Sequence, residues 1–204
     1  TDIPSSVNQV RGAINAGISE LGSLEGAADP RELASPVLGR LDMTVYETLV
    51  VSARNGDLVP RLAEDWRVSP DGLTWTFSIQ DGVPFHDAGE ELSADDVAWT
   101  WIRYTEPNSR YGGAAPVRSL IRGRNQLNVV NQRAVQVVND KPRFDMLFSF
   151  RAPYQHGLAI QSRDAFERQG PDQDSTQLTD TGPWRLIEAS PLDYWKLEAV
   201  EGHW

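Results

Sequence analysis

Residues 69–77 read Ser-Pro-Asp-Gly-Leu-Thr-Trp-Thr-Phe, and this segment decides how the centre of the chain folds. From Leu73 to Ile79 large apolar residues alternate with Thr and Ser, and this period of two predicts a β-strand with one buried face. The preceding Ser-Pro-Asp-Gly is typical of a turn, because proline fixes φ and glycine adopts positive φ at little cost. The sequence therefore predicts a hairpin whose partner strand contains Trp66 and Val68.

A helix is predicted to begin just after Ser93. The Ser93 hydroxyl can accept a hydrogen bond from a free N–H group of the first turn, and Asp95 and Asp96 complement the positive end of the helix dipole. Trp99 points away from the predicted buried face, so it is a candidate for contact with a ligand or with another domain. On a helical wheel that buried face holds five residues: Ala94, Val97, Ala98, Trp101 and Tyr104.

The remaining elements follow from periodicity and from turn residues. The small residues of 11–19 predict a strand, and the apolar spacing over 37–50 predicts a helix. The sequence Arg-Asn-Gly-Asp at 54–57 predicts a turn. We further expect strands at 127–130, 134–138, 184–188 and 194–199, a short helix over 141–148 and a polar connector over 170–182.

The composition is typical of a folded, acidic protein. Of the 204 residues 40% are hydrophobic and 24% are charged, and seven are Trp, so the chain is not expected to be disordered. The formal net charge of −10 repels a phosphate backbone, and nucleic acid is therefore not an expected partner. The chain has no Cys, which excludes disulfides and thiolate chemistry within it. No apolar run is long enough for a membrane span, and any signal peptide is expected to have been removed or never included.

Sequence motifs of catalysis are missing from the chain. It contains no Gly-x-Ser-x-Gly, no phosphate-binding loop and no zinc motif. His86 stands beside Asp87 without a second His at metal-ligand spacing, so we interpret the pair as part of a structural turn. We expect no enzymatic activity, no metal site and no cofactor.

Six segments follow one another in an order that characterises one protein family. Together they resemble the peptide/nickel/oligopeptide-binding proteins of ABC importers, extracellular solute-binding protein family 5, in their N-terminal portion. The chain departs from the family's pattern at Ala28, at Ala88, and at Asp180, which stands where the family has glycine. The matching segments are Asp-Pro at 29–30 with Val-Tyr-Glu-Thr-Leu at 45–49, residues 58–66, the hairpin at 69–77, residues 81–87 with Phe-His-Asp at their end, Ser-Ala-Asp-Asp-Val at 93–97, and Thr-Gly-Pro-Trp at 181–184 with residues 194–198 and Trp204.

The resemblance implies a mixed α/β (α+β) fold, the N-terminal lobe of a type II (class C) periplasmic-binding-protein fold with an inserted β-rich subdomain. Residues 1–50 and 181–204 would form a discontinuous part of the first lobe, and residues 51–180 would form the inserted α+β subdomain. Because family members are much longer, the second lobe would be absent. We therefore interpret the chain as a fragment or a separately expressed lobe, and a natural short form stays open as the alternative.

The resemblance also implies a function. The chain would be part of the substrate-binding component of an ABC importer, which captures peptides or similar small polar solutes without catalysis. Its partners would be that ligand, the ABC permease subunits and the missing second lobe. The location would be periplasmic or extracellular, with a lipoprotein anchor at a removed N terminus as one possibility. Two alternatives stay open: a ligand-sensing or protein-interaction module derived from the same fold, and a carbohydrate-binding relative.

Four residues are candidates for ligand contact. Trp99 is a candidate because it points away from the buried helix face. Tyr111 is a candidate because the resemblance implies an aromatic loop residue near the cleft. Glu20 and Glu25 lie in a loop after a predicted central strand, where ligands bind in open α/β sheets. Their carboxylates can pair with a ligand's ammonium group.

Overall fold

Backbone hydrogen bonds organise the described part of the chain into short antiparallel strands and three α-helices. The computed structural model describes residues 29–32, 44–86, 88–111, 113–147, 158–170, 178–190 and 193–204. The predicted strand at 11–19 lies outside these residues. In chain order the elements are β1 (Val50–Ser52), β2 (Leu58–Pro60), β3 (Ala63–Val68), β4 (Thr74–Ile79), α1 (Ala94–Thr105), α2 (Ala114–Leu120), β5 (Leu127–Asn131), β6 (Ala134–Val138), α3 (Arg163–Gln169), β7 (Trp184–Ser190) and β8 (Tyr194–Ala199).

The predicted hairpin is formed by β3 and β4. Its turn is closed by two main-chain hydrogen bonds, from Ser69 N to Thr74 O at 2.8 Å and from Gly72 N to Ser69 O at 2.8 Å. Gly72 adopts a φ of 71°, the left-handed conformation that glycine adopts without steric cost. Trp66 lies opposite Phe77 in the register. The prediction from alternation and turn residues is confirmed.

The hairpin is the edge of a four-stranded antiparallel sheet with the strand order β3-β4-β6-β5. The predicted strand pair at 127–138 supplies β5 and β6, and β6 pairs with β4 so that Trp75 lies opposite Val137 and Phe77 opposite Val135. These four side chains are buried, while the residues between them along both strands are more exposed. One face of the sheet therefore forms the core, as period-two patterning requires.

Helix α1 covers this buried face. Its N terminus carries a capping box, in which Asp96 N donates to the Ser93 hydroxyl and Ser93 N donates to the Asp96 carboxylate at 2.9 Å. Ala94 N donates to Gln132 O at 2.8 Å, which fixes the helix start to the β5–β6 turn. Trp101 meets Phe77 edge to face, with ring centroids 5.5 Å apart. The predicted helix face is confirmed, with Ala98 only partly buried.

The helix predicted over 37–50 is wrong in its described part. Residues 44–49 have no helical structure, and Val50 begins β1, which pairs with β2 across the predicted 54–57 turn. The carbonyl groups that a helix would bond internally accept hydrogen bonds from distant segments instead. Val45 O accepts from Gly182 N at 2.9 Å, and Leu49 O accepts from Arg61 N at 3.0 Å. Residues 37–43 lie outside the described part of the chain.

One further expectation needs correction. Residues 141–145 are not helical, because Arg143 N donates to Gly72 O at 2.8 Å and Arg143 O accepts from the Trp75 indole at 2.7 Å. In the predicted connector, the described residues 170 and 178–182 form neither helix nor strand, although Asp180 and Thr181 are fully buried. The two final strands are confirmed as β7 and β8. None of the helices in the described ranges has the length and apolar character needed to cross a membrane.

Replacing Gly182 by Ala should strongly destabilise the chain. A Cβ at this position would lie 2.2 Å from Val45 O and 2.8 Å from Thr44 O, which are main-chain atoms that cannot rotate away. We expect Gly182→Ala to lower the free energy of unfolding by about 3 kcal/mol or more, measured by urea denaturation. The control is Gly123→Ala at an extended residue, which should change it by less than about 1 kcal/mol. Equal effects of the two substitutions would contradict the close packing at Gly182.

Candidate functional site

Trp99 lies on the side of α1 that faces away from the sheet, as predicted, and its side chain is half-buried. Its ring packs against Phe166 of α3, with centroids 5.2 Å apart. The Arg103 guanidinium lies 5.6 Å from the Trp99 ring centroid and 4.8 Å from that of Phe166. The tryptophan therefore contributes to the contact between two helices while the residue stays partly exposed.

Arg103 also connects α1 to the described segment 29–32. Its guanidinium lies 2.8 Å from the Asp29 carboxylate, and Asp29 also accepts hydrogen bonds from Arg31. Glu106 pairs with both arginines, at 3.3 Å from Arg31 and 3.5 Å from Arg103. The side-chain hydrogen bond to Asp29 is the main cause that raises the pKa of the Arg31 guanidinium, which therefore stays charged. This network fixes the Asp-Pro segment of the sequence beside Trp99.

Tyr111, expected near the cleft, is almost fully buried in the structure. It is only 4% exposed, and its ring packs against Tyr104 of α1 with centroids 4.2 Å apart. The adjacent Arg110 N donates to Arg31 O at 2.7 Å. Tyr111 is thus next to a residue that contacts the 29–32 segment, whereas Glu20 and Glu25 are outside the described residues.

Sequence reasoning missed a second group of polar side chains, which we call the polar cluster: Glu47, Arg61, His86, Asp180 and His203. Arg61 Nε donates to the Glu47 carboxylate at 2.6 Å, and Glu47 is almost fully buried. His203 Nε2 lies 3.6 Å from the same carboxylate and 3.0 Å from Thr181 O. The cluster therefore joins residues that the sequence places far apart.

His86 and Asp180 form the other half of the polar cluster. His86 Nδ1 lies 2.7 Å from Asp180 Oδ1, with both side chains buried, and His86 N donates to Asp180 O at 2.7 Å. Burial raises the pKa of Asp180 to about 6, while His86 and the Gly182 amide act to lower it and the charge of Glu47 acts to raise it. A carboxyl with that pKa changes its protonation within the mildly acidic range.

The sequence contains one indication of the polar cluster, at Asp180. It departs from the glycine of the resembling family pattern and lies in a stretch that otherwise reads as a connector. His86 was interpreted as part of a turn with Asp87, whereas in the structure its side chain contacts Asp180, which lies far along the chain. Among the residues that the structure describes, no group of three or more His, Cys, Asp and Glu side chains is placed to bind a metal ion.

Comparison with protein-family models matches residues 57–204 to a family described as "Bacterial extracellular solute-binding proteins, family 5 Middle". This match covers most of the chain. The chain belongs to family 5 of the bacterial extracellular solute-binding proteins. The sequence resemblance and the order of its motifs are thereby confirmed.

Two curated relatives from this family show the extent of the similarity. The dipeptide-binding protein of Escherichia coli (strain K12) is 29% identical over 164 residues, which cover 72% of this chain and 30% of the relative. The di/tripeptide-binding protein 2 of Pseudomonas aeruginosa (strain UCBPP-PA14) is 26% identical over 185 residues, which cover 78% of this chain and 34% of the relative. The chain thus spans about a third of the length of these relatives.

Solved structures of family 5 binding proteins share the fold. The ABC transporter-associated periplasmic binding protein DppA from Helicobacter pylori, in complex with the peptide STSA, superimposes with a TM-score of 0.69 at 22% identity, covering 87% of this chain and 37% of that one. The periplasmic murein tripeptide binding protein MppA, in its unliganded open form, gives 0.72 at 20% identity, covering 91% and 37%. The mixed α/β fold, part of a periplasmic-binding-protein architecture, is confirmed.

Glu47→Gln should destabilise the chain because it leaves Arg61 without its buried partner. We expect a loss of about 2 kcal/mol in the free energy of unfolding, below the full value for a buried pair because Arg61 is partly exposed. Glu198→Gln is the matched control, since its carboxylate pairs with an exposed Arg185 on the β7–β8 hairpin and should cost less than about 1 kcal/mol. Urea denaturation at pH 7 gives both values, and a loss no larger for Glu47 than for Glu198 would contradict the structural role of the polar cluster.

Proposed function

We propose that this chain is part of the substrate-binding component of an ABC importer and helps to capture peptides or similar small polar solutes without catalysis. The observation that carries the proposal is the family match over residues 57–204. The names of the relatives that cover most of the chain add the chemical class, since one is a dipeptide-binding and another a di/tripeptide-binding protein. A solute bound for import needs recognition and release, so the protein requires no catalytic group.

We propose that residues 1–50 and 181–204 form a discontinuous part of the first lobe and that residues 51–180 are inserted between them. Two main-chain hydrogen bonds support this division: Gly182 N donates to Val45 O at 2.9 Å, and Trp184 N donates to Thr44 O at 3.2 Å. The chain leaves this junction at β1 and returns to it at Thr181. The sheet, α1 and α3 all lie between these two points in the sequence.

Because the chain spans about a third of its relatives, it would contribute only part of the ligand site. Proteins that bind ligands by hinge closure obtain affinity from contacts on both walls of a cleft. The remaining wall and the ABC permease subunits would be the protein partners. A transport function also implies a periplasmic or extracellular location. An N-terminal lipid would be one way to anchor the protein to the membrane there.

Trp99, Tyr111, Glu20 and Glu25 remain the proposed ligand contacts. Trp99 has the strongest support, because it is a partly exposed aromatic residue beside the guanidinium of Arg103, and such a ring can stack on a planar or apolar group. Tyr111 would contact a ligand only through the small exposed part of its side chain. Glu20 and Glu25 would pair with a ligand's ammonium group.

Isothermal titration calorimetry tests the proposed function. The full-length protein should bind dialanine or trialanine with a dissociation constant of about 1 μM or lower, whereas the 204-residue chain alone should bind at least about 100-fold more weakly. Maltose serves as the control ligand and should give no heat of binding. Maltose binding without peptide binding would favour the carbohydrate alternative, and submicromolar peptide binding by the isolated chain would contradict a divided site.

Substitution of Trp99 tests its proposed contact. In the full-length protein, Trp99→Leu should weaken peptide binding by about fivefold or more, because a stacked ring contributes about 1 kcal/mol or more beyond its buried area. Trp184→Leu is the control, since Trp184 is an exposed tryptophan on β7. Calorimetry measures affinity and circular dichroism checks folding. An unchanged affinity in a folded Trp99→Leu variant would remove Trp99 from the site.

A further inference from the structure

The polar cluster contains more buried negative charge than permanent positive charge. Glu47 and Asp180 are both buried carboxylates, and they lie close enough for the charge of Glu47 to act on Asp180. Within the described part of the chain, the charged or titratable side chains placed against them are Arg61, His86 and His203. Arg61 is the member that is always protonated, and its partner is Glu47.

With both imidazoles neutral, the two carboxylates and one guanidinium leave one uncompensated negative charge. An ionised carboxylate without a full partner is costly in a buried site. This cost is larger for Asp180 than for Glu47. The Asp180 side chain is fully buried, and the side chain that lies against it is an imidazole and not a guanidinium. One proton added to the buried Asp180 carboxyl removes the imbalance.

We propose that His86 and Asp180, supported by Glu47, Arg61 and His203, form a buried proton-binding site that holds residues 180–182 against the rest of the fold. The proton converts a buried carboxylate and a neutral imidazole into a compensated pair. The site has this role whichever solute the protein carries, so it does not depend on the proposed function.

The cluster is connected to the backbone bonds that it would control. His86 N donates to Asp180 O, and Gly182 N donates both to Val45 O and, at 3.3 Å, to Asp180 Oδ1. Thr181 O lies 3.0 Å from His203 Nε2 and accepts from the Trp204 indole at 3.2 Å. The Trp204 ring in turn lies under the Arg61 guanidinium at 5.0 Å. Loss of the proton therefore weakens a segment that anchors the last residues of the chain.

The direction of the pH dependence follows from linkage. The pKa of Asp180 is about 6 in the folded chain, against 3.8 ordinarily, so the closed segment binds a proton that the open segment releases. Stability of the closed segment is then fully present below about pH 4 and falls as pH rises towards 6.

Hydrogen exchange at single amides tests the proposal in the full-length protein. After correction for intrinsic exchange, the opening equilibrium constant of the Gly182 amide should rise about tenfold per pH unit between about pH 4 and pH 6. In Asp180→Asn, which keeps the shape and removes the titration, this slope should disappear. Glu198→Gln, on an exposed pair, should keep the wild-type slope. A slope that is the same in wild type and Asp180→Asn would overturn the proposal.

A second measurement on the unmodified protein covers the case in which Asp180→Asn fails to fold. The side-chain carboxyl ¹³C resonance of Asp180, assigned through the backbone, should titrate near pH 6. The His86 ring lies 2.7 Å from this carboxyl, so at least one of its resonances should report the change of charge on Asp180 over the same pH range. Titration of the Asp180 carboxyl near pH 4 would overturn the proposal.

Discussion

Carbonyl groups of residues 44–49 receive hydrogen bonds from three distant parts of the chain, and the rest of the architecture depends on this convergence. Residues 61–63 donate to Thr48 and Leu49, Ile160 N donates to Glu47 O at 2.9 Å, and Gly182 N donates to Val45 O. Buried main-chain groups need partners, so a segment that does not bond internally must be satisfied from outside. These bonds join the sheet, the α3 region and the β7–β8 hairpin around one short stretch of backbone.

The polar cluster lies on the same stretch. The main-chain carbonyl of Glu47 belongs to the junction, and its carboxylate pairs with Arg61. Asp180 directly precedes Thr181, whose carbonyl contacts His203, and Gly182, whose amide donates to Val45 O. Buried charges cost free energy unless they are paired, and their pairing here requires several segments to be in place at once. The arrangement thus couples the position of the chain's last residues to the protonation of its interior. In a family whose members act outside the cytoplasm, such a group would meet the pH of the surroundings directly.

The sequence predicted best those elements whose determinants are local. The β3–β4 hairpin follows from alternation and from the turn ending at Gly72, and α1 follows from the Ser93 cap and one apolar face. The helix predicted over 37–50 is wrong in its described part, residues 44–50, because apolar spacing cannot reveal that Val45 O bonds to Gly182 N. For the same reason the His86–Asp180 pair was missed and the burial of Tyr111 against Tyr104 was not foreseen. Family membership could be inferred from the sequence alone, because it depends on the order of short motifs and not on long-range contacts.

The central proposal for this protein is that residues 1–204 supply only part of a solute-binding site and that the other wall of the cleft lies elsewhere in the protein. A crystal structure of the full-length protein with a bound peptide would test it. We expect the Gly182 N to Val45 O hydrogen bond to be present and the ligand to lie between this chain and a second lobe, touching both. A ligand enclosed without any contact to residues 1–204 would contradict it.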